Sequence, residues 1–450
     1  MPDRKVIDVH CHLFNAQYAI MELAAATWNN LWGDYPHQKA GIKERRARGI
    51  VETLDGVKEF AAWIARLVEA ALSDCDGNYD TAREKFSQSA LGQGCSLTLS
   101  PLMMDIYFAL DNNEDEEEAR SSRRRSVPVI EAFGIPEDKK MDFDSHFDEI
   151  KNLIIAEIQT APKTGRRSSD QALDTIFQDA KKDMLESARA TRRGDKDPYE
   201  GIELSPGYKK HMHDLEELCI KYPGEVFPFL AIDPRRIGIM KLIDMKVDEG
   251  NGPFRGIKLY PPLGYLPTHP NLAEVFEYCN AHDIPITFHC SPGGIKNFRD
   301  ENYVRSWEGN DHLENFQSTS GNKSEFYTAP QKWAPVLERW KNLRINFAHM
   351  GGGDQLDSGA TAWMQDILSM IERYPNMYTD MSYHTKQGLA QKLADLVRQH
   401  RVLNSRLMFG TDFIMIMLDK DLGGLDKYFD RFTEFNNNLL YENAKSFLKL

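Results

Sequence analysis

The chain has no apolar run able to cross a bilayer: the longest, Phe413 to Leu418, has six residues where about 18 are needed. Its opening stretch, MPDRKVIDVHCH, lacks the roughly 7–15-residue apolar segment of a secretory leader. Basic residues are not in excess. Lys and Arg number 55 against 68 Asp and Glu, a net charge of −13, so nucleic acid and anionic membranes are excluded as general partners. An anionic small molecule in a locally positive pocket stays compatible. Cysteine is sparse. Cys11, Cys75, Cys95, Cys219, Cys279 and Cys290 contain no C-x-x-C pair, which argues against a disulfide framework and for a reducing, cytoplasmic compartment. No repeat of fixed period runs through the chain.

What is present is a globular composition, 41% hydrophobic over 450 residues. At about 150 residues per domain this length suits three domains, or one elaborated barrel. The pattern favours the barrel. Strand-like stretches near 227, 255, 285, 344, 377 and 407 alternate with amphipathic helical ones, among them Asn271 to His282 with Asn271 as a candidate cap. Residues 5–12 and 96–108 add two strands. Eight parallel strands with helices outside make an α/β (β/α)8 TIM barrel, although a doubly wound open sheet shows the same alternation. Residues 14–95 and 111–200, 82 and 90 positions long, interrupt the pattern and leave 278 residues, close to the ~250 of a plain barrel. They read as insertions after strands 1 and 2 of a single domain spanning 1–450. The first is helical, with Val57, Phe60, Ala61, Ile64, Leu67, Val68, Ala71 and Leu72 on one stripe. The second opens on DNNEDEEEARSSRRRS, whose charge density predicts an exposed segment.

The first strand ends in His10-Cys11-His12. Side chains alternate along a strand, so Asp8, His10 and His12 share one face and Cys11 points away. His211-Met212-His213 has the same spacing, but its context is helical and its residues do not share a face. That pair is expected on the surface. His289 ends PITFHC, His349 ends RINFAHM before three glycines, and Asp412 ends LMFGTD. In a barrel the C-terminal strand ends all face one mouth. Imidazoles and a carboxylate gathered there suit Zn²⁺ or a similar transition ion.

These stretches, with FRGIKLYPPLGY at 254–265, INFAHMGG at 345–352 and the terminal YENAKSFL, resemble the amidohydrolase superfamily of metal-dependent barrel hydrolases. The likeness is strongest to its second family, the branch that includes aminocarboxymuconate-semialdehyde decarboxylase. It covers the barrel strands and neither insertion. The resemblance implies that His10, His12, His289 and Asp412 bind one catalytic metal, with His349 touching its water or the substrate. It also implies an alternative, in which a carbamylated Lys258 at the end of strand 4 bridges two metals.

With one metal, Lys258 is a cation able to pair with a substrate carboxylate. Arg235, in AIDPRR after strand 3, is a second candidate clamp, with a surface role expected for at least one of Arg235 and Arg236. Tyr260, Tyr265, Tyr383 and His384 are candidate pocket residues, and Trp28 and Trp32 are candidate packing residues above it. The leading expectation is a hydrolase that directs a metal-bound hydroxide at an amide, lactone or ester, with His349 and Asp412 managing protons. The same ligands serve a nonoxidative decarboxylase, and a barrel using its metal for structure or binding alone is a third reading. The partner is a small molecule; self-association stays open.

Overall fold

The computed structural model describes residues 4–32, 56–68, 73–110, 140–160, 170–192, 198–247, 252–309, 311–316, 323–357, 362–386, 388–419 and 422–450. Eight short strands follow in order: β1 Arg4–Cys11, β2 Cys95–Pro101, β3 Phe229–Ala231, β4 Gly256–Leu259, β5 Ile286–Phe288, β6 Ile345–Phe347, β7 Met377–Asp380 and β8 Leu407–Met408. All but the exposed start of β1 and parts of β2 are buried, as strands covered by helices on their outer face require. β1 pairs with β2 in parallel, and β3 to β8 form one parallel sheet.

Two seams close the ring. Leu99 and Leu102 bridge in parallel to Val226 and Phe229. On the other side Val9 N–H donates to Phe409 O at 3.1 Å and Thr411 N–H to His10 O at 3.2 Å. The sheet is therefore a closed eight-stranded barrel, and the open-sheet alternative does not hold. Asp8 stitches the second seam: Oδ1 accepts from Thr411 N at 3.0 Å and Oδ2 from Thr411 Oγ1 at 2.6 Å. Burial raises the Asp8 carboxyl to about 7 against these opposing hydrogen bonds.

The described parts of both long interruptions are helical. The first holds α1 Ala16–Trp32, α2 at 56–68 and α3 Cys75–Gln88, the last capped by Asp74 Oδ1 accepting from Gly77 N at 2.7 Å. The second holds α4 Lys140–Thr160 and α5 Asp170–Arg192. Lys151–Asp174 at 2.7 Å and Lys181–Asp148 at 3.3 Å make α4 and α5 antiparallel neighbours. Both lie against α1, through Gln17 Nε2 donating to Asp183 Oδ2 at 2.6 Å and Thr27 Oγ1 meeting His146 Nε2 at 3.0 Å. The apolar stripe of α2 is buried at Phe60, Ala61, Ile64, Leu67 and Val68. Phe60 stacks on Phe298, in the loop after β5, with ring centroids 5.7 Å apart. α2 thus rests on a connection at the C-terminal face of the barrel. Ala71, Leu72 and the charged run at 112–126 lie outside the described residues.

Three local expectations are corrected. His211 is buried on α6 Pro206–Lys221, its Nε2 3.2 Å from Leu13 O and its ring 4.7 Å from that of Tyr18. Only His213 faces solvent, pairing with Glu217 at 3.3 Å; two residues on a helix are about 200° apart, so one packs and the other does not. Asn271 stands at the N-cap position of its helix, as expected, but its side chain makes no capping bond: Nδ2 donates to Pro234 O at 2.8 Å. The connection after β5 carries an antiparallel hairpin, Glu301–Val304 with His312–Asn315, that the strand–helix alternation did not signal. No helix among the described residues is long and apolar enough to cross a membrane.

Candidate metal centre at the barrel mouth

The barrel brings the chosen strand-end residues together. His12 Nε2 lies 3.1 Å and His10 Nε2 3.4 Å from Asp412 Oδ1. His349 Nε2 is 3.2 Å from His289 Nδ1. All five side chains are buried. His10, His349 and Asp412 each offer a ligand atom within 4.8 Å of the others. That tight group includes His349, which the resemblance placed beside the metal, and leaves out two expected ligands: His12, although it lies beside Asp412, and His289, whose Nε2 is turned to Gly293 O at 2.9 Å.

The backbone aims these groups by leaving the strands abruptly. His349, Tyr383 and Asp412 adopt φ of 62°, 58° and 62°, the left-handed region that non-glycine residues rarely enter. Such conformations concentrate at functional sites, where the surrounding structure compels them. Gly351 and Gly352, with φ of 83° and 107°, continue the turn after His349 at no Cβ cost.

Asp380, at the end of β7, organises the site and was not singled out in the sequence. Its carboxylate accepts from His10 Nδ1 at 3.0 Å, Asn346 Nδ2 at 2.7 Å, His349 N at 3.0 Å and Ser382 N at 3.1 Å, and from Ser382 Oγ. Burial opposes its charge, yet His10 and these donors hold the carboxyl well below its usual range. The signal was available: MYTD has the same polar ending to an apolar strand as the residues that were chosen. Ser382, 2.8 Å from His349 Nδ1, was also missed; it lies beyond the strand and carries no such pattern.

The hydrogen bonds assign the tautomers. His10 Nδ1 donates to Asp380 and His12 Nδ1 to Leu102 O at 2.7 Å. Both Nε2 atoms then carry lone pairs when the rings are neutral. Burial, partly offset by Asp412, lowers His12; burial and then Lys258 lower His289 to about 3; burial and then His10 take His349 well below its ordinary value. Burial opposes ionisation of Asp412, but the contact with His12 and the charges of His10 and His349 outweigh it and hold the carboxyl far down. When the His10 and His12 rings are neutral, Asp412 Oδ1 faces their lone pairs and has no hydrogen-bond donor among the described residues. A cation resolves that arrangement, so neutral imidazoles and an ionised carboxylate fit a divalent ion.

Lys258 is buried, and its Nζ has no hydrogen-bond partner among the described residues. Burial lowers it to about 8, against the pull of Asp412 and Asp380. Tyr260 places its ring 4.6 Å from that of His289 and is buried. Tyr265, also buried, accepts at its hydroxyl from Tyr260 N at 2.6 Å. Tyr383 is partly exposed, and His384 is buried with Nδ1 2.7 Å from Ser382 O. Arg235 is not an open clamp. Its Nε and Nη2 grip Asp233 at 2.8 and 2.6 Å and its guanidinium covers the Phe108 ring at 4.3 Å. Arg236 grips Asp105, with Nη2 2.6 Å from Oδ1. Neither arginine side chain is at the surface, because each has a carboxylate within reach to offset its burial. The Trp28 and Trp32 side chains lie outside the described residues.

A closed parallel barrel with titratable groups on its C-terminal strand ends is the architecture of a barrel enzyme. Residues 185–450 match the family model described as Amidohydrolase, and the chain belongs to that family. No curated protein matches it significantly. Among solved structures it is similar to 2,6-dihydroxybenzoate decarboxylase from Rhizobium, at 16% identity over 54% of this chain and 79% of that one, with a TM-score of 0.35. A 5-carboxyvanillate decarboxylase from Sphingomonas paucimobilis gives 12% over 54% and 72%, TM-score 0.35. An amidohydrolase from Burkholderia multivorans with bound zinc gives 13% over 54% and 80%, TM-score 0.35.

Proposed function

We propose that this chain is a metal-dependent hydrolase acting on a carbonyl (amide, lactone or ester) in a small carboxylated molecule. The observation that carries the reading is the bare Asp412 Oδ1, 3.1 and 3.4 Å from two imidazole nitrogens whose protons are held elsewhere. His10, His12, His289 and Asp412 are the proposed ligands and zinc the proposed ion, one per chain. A divalent ion bound there supplies Lewis-acid activation of the carbonyl and of water.

The chain's own residues do the rest. Asp380 and Leu102 O keep the His10 and His12 tautomers in place. His349, held at Nδ1 by Ser382, manages protons at its Nε2, and Asp412 accepts a proton at the oxygen facing the reacting atoms. Lys258 pairs with a substrate carboxylate, which offsets the cost of its buried charge. Tyr260 packs against the His289 side of the substrate.

A second reading is nonoxidative decarboxylation. Lys258 Nζ, without a hydrogen-bond partner among the described residues, favours it, since an ammonium lowered to about 8 can both hold a carboxylate and return a proton to carbon. The deciding experiment loads the full chain with Zn²⁺ or Mn²⁺ and screens carboxylated lactones, amides and aromatic acids. Release of a ring-opened or cleaved acid supports hydrolysis; carbon dioxide without net water uptake supports the lyase. Metal content near one equivalent supports the single-ion site. Two equivalents with a modified Lys258 support the binuclear arrangement.

A further inference from the structure

His10 and His12 are held by different means. His10 lies within β1 and leans on the Asp380 carboxylate. His12 stands one residue beyond the end of that strand, and residues 12–15 form the link to α1, outside both elements. The His12 ring is steadied at Nδ1 by Leu102 O at 2.7 Å, and its backbone N–H by Phe413 O. His12, Leu13 and Phe14 are all buried, so the carbonyls of this irregular link need donors.

Side chains from two other helices supply them. Leu13 O accepts from Cys75 Sγ at 2.9 Å and from His211 Nε2 at 3.2 Å. Phe14 O accepts from Asn78 Nδ2 at 3.0 Å. Cys75 and Asn78 lie about one turn apart on α3, in the first insertion, and His211 belongs to α6. The Phe14 ring neighbours both histidines, 6.2 Å from the ring of His12 and 5.7 Å from that of His211.

His211 is not the residue that packing alone selects. A carbonyl only accepts, so Nε2 carries the proton and Nδ1 is bare. Nδ1 has no hydrogen-bond partner among the described residues. Burial pushes the ring down to about 3 against the Leu13 bond, so it stays neutral. An apolar side chain would fill the space beside Phe14 and Tyr18 without burying an unanswered nitrogen. What histidine adds there is one N–H, delivered to the carbonyl next to His12.

We propose that His211 is a positioning residue for the metal ligand His12, with Cys75 and Asn78 holding the same link from α3, so that α6 and the first insertion set how tightly the ion at the mouth is held. The proposal rests on the reading of His12 as a ligand. Removing a group that orients a metal ligand typically costs about 10–100-fold in metal affinity.

The test titrates the zinc-loaded full chain with a chromogenic chelator and records the visible spectrum of the Co²⁺ form. His211→Leu is expected to weaken zinc binding about 10-fold or more and to shift the cobalt bands. His211→Gln, which offers an amide N–H in place of Nε2, should recover most of the affinity. Leu215→Ala removes buried packing from the same helix and should lower stability with zinc affinity unchanged. Unchanged affinity in His211→Leu, no recovery in His211→Gln, or an equal loss in Leu215→Ala would overturn the proposal. If His211→Leu does not fold, Asn78→Ala carries the test: zinc should bind at least about 5-fold more weakly, and unchanged binding sinks the idea. His12→Ala separates this from the ligand reading. Undiminished zinc affinity in that variant removes His12 from the centre and the proposal with it, whereas a loss there with none in His211→Leu rejects the proposal alone.

Discussion

Two clusters of buried charge sit within one fold and are finished differently. Behind the barrel mouth, Arg236 grips Asp105 through two nitrogens and reaches Glu203 O at 2.8 Å, while Glu22 accepts from Ser205 Oγ at 2.6 Å and Tyr208 N at 2.8 Å. At the mouth, Asp412 Oδ1 and Lys258 Nζ have no hydrogen-bond partner among the described residues. Burial is similar in both places, so burial alone does not separate a structural cluster from a reactive one. Both keep an unanswered oxygen among the described residues, Glu22 Oε2 behind the mouth and Asp412 Oδ1 at it; the mouth differs in that its oxygen faces two imidazole nitrogens, with an ammonium also unanswered. An unanswered buried atom costs about 1–3 kcal/mol, more if charged. At the mouth that cost falls on a carboxylate and an ammonium, which a bound cation and a substrate carboxylate would offset.

The comparison breaks most sharply at the ligands. His10→Ala combined with His12→Ala should abolish metal retention, read by elemental analysis, with far-ultraviolet circular dichroism unchanged; full retention would remove the mouth cluster from metal binding. In the cluster behind the mouth, Arg236→Met should leave Asp105 buried and unpaired and cost about 3–5 kcal/mol in urea unfolding, with metal content retained in the folded fraction. His349→Asn should keep the metal and lose about 10²–10⁴-fold in turnover if it manages protons; loss of metal with it, and retention in His289→Asn, would exchange their roles.

A pH titration sharpens the same contrast. Burial raises Glu22 from its ordinary value of 4.5 to about 7, opposed by Arg236. The folded state therefore binds the extra proton between those values, and stability should fall as pH rises from about 4.5 through 7. Full integration of such a shift is worth about 3 kcal/mol. Glu22→Gln should flatten that slope in chemical unfolding. An unaltered slope would show that Glu22 is charged throughout. The smallest effects separate the two histidines of α6: His213→Ala should change stability by under about 0.5 kcal/mol and buried His211→Ala by about 1–3 kcal/mol.

The barrel was legible because its strands are apolar runs with polar ends, a pattern that survives without any knowledge of contacts. His10, His12, His289, His349 and Asp412 were all reached by that rule, and Asp380 obeyed it without being noticed. Arg235 and His211 were misjudged for another reason. Their settings depend on partners far along the chain or on the opposite helix: Phe108 in one case, Leu13 and Tyr18 in the other. The setting of α2 was invisible for the same reason, since its stripe announces that a face is buried without naming the surface that covers it. Phe298, more than two hundred positions away, answers that.

The seam between β8 and β1 gives the centre a place in time. Thr411 meets Asp8 across 403 positions, and Asp412 meets His10 and His12 only once that seam has closed. Loop-closure entropy makes contacts of such separation late ones. Ion uptake should accordingly follow barrel closure in refolding, so the appearance of bound metal would mark the moment when the first and last strands have found each other.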